Sequence, residues 1–267
     1  MDTLLQTLKD GLTIGSLYAL IALGYTMVYG ILKFINFAHS DIVVLGAWLS
    51  LVIATAIVKA LGLEAGQTAP WWVGPFVLIC AMATCGLIGF TIERLAYKPL
   101  RSAPKLNVLI TAIGVSLFLQ NTGQLPRVFG TRPQPIPSLL SDKVLFSIGN
   151  MQVRLLDLVV IGTALFLMVA LEWLVFHTKL GRAMRAVSFD VRTAGLMGIP
   201  VDRVISITFV IGSSLAAAGG FLWALSFTSI KQPADTSWVL LGLKAFVAAV
   251  VGGIGNVRGA MFGGLAI

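Results

Sequence analysis

From Leu12 to Leu32 the chain carries no charged residue, and from Val204 to Ile230 it again carries none. A helix needs about 20 apolar residues to cross the hydrocarbon of a bilayer. Both runs reach that length. Neither can lie on the surface of a soluble domain, and two together leave little choice but membrane. Composition agrees: 57% of the residues are hydrophobic and only 11% are charged, whereas soluble domains carry about 25% charged residues. Backbone polar groups in lipid must be satisfied within each segment, so the sequence predicts an all-α, polytopic transmembrane helix bundle.

The remaining segments follow from the same pattern. Residues 1–11 read as a short amphipathic stretch in the interface. The first span is Leu12 to Leu32, with Gly15, Ala19 and Ala22 as a small-residue stripe for close packing. A polar turn, KFINFAHSD, leads to a second helix from Ile42 to Val58, with Ser40 and Asp41 at its start. A third helix ends before Glu93. The segment 93–105 holds two prolines and reads as a loop. Leu106 to Leu125 is a fourth span, with Gln120 and Asn121 near its outer end. In the stretch 126–154, Val144–Phe146 and Met151–Val153 around Gly149-Asn150 predict a hairpin. Leu155 to Phe176 is the fifth span and Val204 to Ile230 the sixth. Trp238 to Val251 is shorter, and a glycine-rich break precedes a last apolar segment from Ala260 to Ile267. That makes about eight spans, the last one truncated, in one C-terminally incomplete membrane domain.

Lys and Arg collect in short cytoplasmic loops. Lys33, Arg94, Lys98, Arg101, Lys105, Arg258 and the basic residues of 177–203 fall on one side of the bundle. The other side is poorer in them, so the N-terminus is expected outside. The formal net charge of +8 then needs no nucleic acid.

The stretch 177–203, HTKLGRAMRAVSFDVRTAGLMGIPVDR, is the densest polar island. Ser188 is expected to cap a short helix, with Asp190 near its positive end. Val191 to Met197 fits one or two turns. Gly198 suits a left-handed stop, and Pro200 forbids continuation. This is the make-up of a structured peg rather than a slack linker.

No catalytic constellation is present. Cys80 and Cys85 point apart on a helix, and the two histidines have no metal-ligand or triad spacing. No phosphate-binding GK[ST] motif occurs, so no cofactor, ATP included, is expected on this chain. Two classes remain: a carrier coupled to an ion and working alone, or the membrane subunit of a pump whose ATPase is another chain. A carrier calls for acidic residues inside the membrane; Asp41, Asp157 and Glu172 all fall near predicted helix ends. Lys244 interrupts an apolar run, and Asn36 and His39 sit in a turn between apolar residues. These three are the candidate pathway residues. The pattern Gly30, Asn36, Gly46-Ala47 faintly echoes Gly253, Asn256, Gly259-Ala260, as in transporters built from repeats.

Three blocks carry a family resemblance. GLTIGSLYALIALGYTMVYGILKFINFAHSDIVVLGAWLS, GRAMRAVSFDVRTAGLMGIPVDRVISITFVIGSSLAAAGGFL and GLKAFVAAVVGGIGNVRGAMFGGLAI resemble, in order, LivH-type permeases of branched-chain amino-acid ABC importers. Urea and short-chain amide permeases share these blocks. The resemblance implies a bacterial inner-membrane subunit. Its partners would be a second permease of the LivM kind, two ATP-binding subunits that hold ATP and Mg, and a periplasmic binding protein. It also implies ATPase coupling through Asp190, Ala194, Gly198 and Ile199, with Arg185 on the same segment. Ser40 stands where the family usually has Gly.

Overall fold

A computed structural model describes residues 2–63, 67–101, 103–141, 143–148, 151–227, 229–231 and 234–267. The helices are α1 (Asp2–Leu32), α2 (His39–Ala60), α3 (Val73–Ile92), α4 (Lys105–Gln124), α5 (Leu155–His177), α6 (Lys179–Phe189), α7 (Val191–Leu196), α8 (Val201–Ser226), α9 (Thr236–Val251) and α10 (Val257–Ala266). Among the described residues, six are long and apolar enough to cross a membrane: α1, α2, α3 with its continuation, α4, α5 and α8. α9 is a shorter apolar helix.

Several boundaries differ from the sequence reading. Residues 1–11 were expected to lie apart in the interface, but α1 runs unbroken from Asp2; nothing between Leu8 and Leu12 breaks a helix, and Gly11 meets no neighbour. The segment 93–105 begins not as a loop but as a π-helical turn, Glu93–Tyr97, and a 3-10 turn, Lys98–Leu100. The hairpin is present as β2 (Val144–Ile148) against β3 (Met151–Arg154), its Gly149-Asn150 turn outside the described residues. A second pairing joins β1 (Gln134–Pro135) to β4 (Ser229–Ile230).

α1 and α8 form the buried centre, and small residues let the other helices reach them. A Cβ on Gly264 of α10 would strike Ala19 of α1, and one on Gly220 of α8 would strike the Val43 carbonyl of α2. In lipid such close contact, rather than water exclusion, holds helices together. The stripe Gly15, Ala19 faces α10.

The charged segments gather at two ends. At one, Lys9 Nζ meets Asp157 Oδ2 at 2.8 Å, the Ala69 amide donates to Ser138 O at 2.9 Å, and Trp48 Nε1 donates to Lys231 O at 3.1 Å. At the other, Ser188 Oγ donates to Gly30 O at 2.7 Å, and Arg258 Nε reaches Glu172 Oε1 at 2.9 Å. These are the two sets that the charge pattern separates. Gly30 and Gly255, from the two echoing breaks, lie against each other. The asparagines differ in use: Asn256 caps α10, and Asn36 accepts from Tyr97 Oη at 2.7 Å.

α2 does not start level with the end of α1. Its first residue, His39, lies against Gly24 and Ile21 of α1, more than two turns before α1 ends. The chain between Lys33 and Ala38 therefore folds back into the bundle. Lys33 takes a positive φ of 55° to begin that return.

Candidate functional site

The segment between α5 and α8 is built in steps. Thr178 Oγ1 donates to Leu174 O at 2.6 Å and accepts from the Gly181 amide at 3.0 Å, so it ends α5 and caps α6. Gly181 allows the return, because a Cβ there would strike the carbonyls of Leu174 and Val175. α6 buries Gly181, Met184 and Val187 on one face. Arg185 on another face donates to the Val175 carbonyl and lies over the Phe176 ring at 5.3 Å.

The cap of α7 is Asp190, not Ser188. Asp190 Oδ1 accepts from the Arg192 and Thr193 amides at 2.8 and 3.2 Å, and Oδ2 accepts from Thr193 Oγ1 at 2.6 Å. Those donors, the Thr193 hydroxyl first, hold its carboxyl below the usual range. Ser188 falls in the last turn of α6, where Asp190 is already the residue between the two helices, and its hydroxyl is used on Gly30 instead.

α7 stops as the sequence predicts. Gly198 has φ +80°. Its amide donates to Gly195 O at 3.0 Å, and the Ile199 amide donates to Ala194 O at 3.1 Å. This is the paired closure of a helix by a left-handed glycine. Ala194 is buried beneath it, and α8 starts just past Pro200. Around this anchored frame the large apolar side chains point away: Phe189 is 95% exposed, Leu196 83% and Met197 79%. An exposed apolar tip of this kind marks a contact surface for a protein or a membrane.

A polar network ties the segment to α3. Asp202 meets Lys98 Nζ at 2.8 Å and Arg101 Nη1 at 2.5 Å. Arg101 also pairs with Glu93, which is fully buried and accepts from Ser206 Oγ at 2.6 Å. Sequence reasoning missed this group because 93–105 read as a loop.

The candidate pathway residues do not converge. Asn36 is held by Tyr97, and the His39 ring lies 4.5 Å from that of Tyr25 with Nε2 3.3 Å from Ile21 O. Lys244 is exposed on α9, its Nζ 6.0 Å from the Tyr18 ring centre. Asp41 stands in the first turn of α2, as the sequence predicts, and that start lies inside the bundle. Ser40 packs against Gly242 of α9, so the glycine opposite makes room for its side chain.

Residues 7–267 match the family model for the permease component of branched-chain amino acid transport systems. The chain belongs to this permease family. The permease is 41% identical, over 98% of its length and 82% of the relative's, to the high-affinity branched-chain amino acid transport system permease protein LivH of Escherichia coli K12. It is 38% identical, over 98% of its length and 83% of the relative's, to the BraD permease protein of Pseudomonas aeruginosa. The fructose import permease protein FruG of Bifidobacterium longum is 26% identical over 82% of the permease and 64% of its own length. No solved structure matches. The permease is thus a multi-pass membrane subunit of an importer complex and not itself an enzyme.

Proposed function

We propose that this permease forms part of the route by which branched-chain amino acids enter a bacterial cell across the inner membrane, with its N-terminus periplasmic. Two ATP-binding subunits, which hold ATP and Mg, supply the work. A second, LivM-like permease completes the route, and a periplasmic binding protein delivers the substrate. The segment 177–203 is the cytoplasmic docking peg, with Arg185, Asp190, Ala194, Gly198 and Ile199 shaping it. The observation that carries this reading is the apolar tip: Phe189, Leu196 and Met197 stand exposed around α7, a short helix capped at both ends, at the end richer in Lys and Arg. Closure of the ATPase pair would move this rigid peg, and helices packed through small residues would rock between two access states.

Asp41 inside the bundle favours a second reading, the ion-coupled carrier. Reconstitution separates the two. The assembled complex in proteoliposomes should take up leucine only with the binding protein and ATP. Leucine uptake by this chain alone on an ion gradient would establish the carrier, and uptake of urea or a short amide by the complex would reassign the substrate.

A further inference from the structure

Asp41 is 6% exposed in the first turn of α2. Its Oδ1 accepts from Gln120 Nε2 at 2.8 Å, and Ser116 is a further polar neighbour. Oδ2 has no hydrogen-bond partner. None of the ion pairs among the described residues includes Asp41. A buried carboxylate with a free oxygen and no counter-charge is costly, and such a group needs a reason, such as a bound water or ion.

The surroundings say what. Asp41, Gln120, Val44, Leu45 and Leu119 line a cleft of about 20 Å³, room for one water-sized group. Trp48 and Phe129 close it, stacked with ring centres 5.2 Å apart. The same two rings line a cavity of about 870 Å³ on the other side, which opens near the β1–β4 end. Asp41 and Trp48 are seven residues apart, so they share a helix face about 10 Å apart along α2. The order from the outer cavity inward is an aromatic partition, an aliphatic wall, then a carboxylate.

We propose that Asp41 is a subsite for an ammonium-type cation, reached from the outer cavity when the Trp48–Phe129 pair parts. The substrate's own ammonium group is the expected occupant, its aliphatic side chain lying against Val44 and Leu45; this assignment rests on the amino-acid reading above. A free monovalent cation is the other source of the same chemistry. The small cleft is the occluded form of the subsite.

The test uses the assembled transporter in proteoliposomes. Asp41→Asn keeps the shape and the Gln120 bond and removes the charge. Leucine uptake should fall about tenfold or more, with subunit assembly unchanged and thermal stability kept or raised, because a buried amide costs less than a buried carboxylate. A merely structural Asp41 predicts full uptake by the variant, and that result would overturn the proposal. Replacing external sodium by a bulky organic cation separates the sources. Unchanged uptake by the unaltered complex assigns the charge to the substrate, and dependence on sodium assigns it to a free ion; both uphold the subsite.

A second arm needs no transported substrate. In the assembled complex, Leu45→Cys is combined with Trp48→Ala, Cys80→Ser and Cys85→Ser. It is labelled with a cationic aminoethyl thiosulfonate and with a neutral one. Asp41 should favour the cationic reagent several-fold, and Asp41→Asn should abolish the preference. The same ratio with and without Asp41 would overturn the subsite. If the unaltered complex takes up no leucine, the amino-acid reading fails, and the labelling ratio still decides Asp41.

Discussion

Ser206 of α8 donates its hydroxyl to the fully buried carboxylate of Glu93 at 2.6 Å. Arg101 holds the other oxygen of that carboxylate and reaches on to Asp202. The π-helical end of α3 is thereby fixed to the start of α8, where the peg segment rejoins the bundle. The network links the attachment point of the peg to α3. π-turns recur at functional sites, and this one places Glu93 where Arg101 can meet it.

Removing Arg101 should therefore leave a buried, unpaired charge. Arg101→Met is expected to destabilise the chain by about 3–5 kcal/mol. Adding Glu93→Gln should restore most of the loss, since the amide can still accept from Ser206. Asp202 is largely exposed, and Asp202→Asn should cost no more than about 1 kcal/mol. Thermal unfolding of the purified complex in detergent measures all three. Equal losses from the single and double variants would contradict the pairing.

The left-handed turn at Gly198 makes a conformational prediction. Nothing lies within 4 Å of where its Cβ would be, so only backbone preference opposes a side chain. Asn tolerates a positive φ, and β-branched residues do not. Gly198→Asn should keep most ATP-driven uptake, while Gly198→Val should lose most of it with assembly intact. Similar uptake by the two variants would mean that the turn is not part of coupling.

The Asp190 cap gives a pH dependence. Hydrogen bonds from Thr193 and the α7 amides hold its carboxyl below the ordinary value. Its contribution is therefore complete above the unfolded-state pKa, near about 4, and is lost as pH falls through the lowered folded value. Hydrogen exchange of the Val191–Leu196 amides, corrected for intrinsic rates, should show protection fading below about pH 4. Asp190→Asn should remove that dependence while retaining part of the cap, because Asn caps well.

Much of this was legible in the chain itself. Long uncharged runs dictate membrane helices, and Gly198 with Pro200 dictates where the peg turns. The pairings that matter most were not legible. Asp41 reads as a helix-start residue, and it is one; only the return of 33–38 carries that start into the bundle. Glu93 and Arg101 sit in a stretch with two prolines that reads as a loop, and its first turns are helical. Ser188 and Asp190 are both good caps in isolation, and which one serves depends on where α6 ends. Each miss is a question of tertiary placement, which local pattern does not encode.

In the proposed mechanism, work done by another chain enters through the tip carrying Phe189, Leu196 and Met197. A photo-reactive residue at Leu196 in the assembled, membrane-embedded complex tests it most directly. A cross-link to an ATP-binding subunit is expected, with a yield that changes with nucleotide. Labelling of that position from the periplasmic face, or a cross-link to no ATP-binding subunit in any nucleotide state, would contradict it.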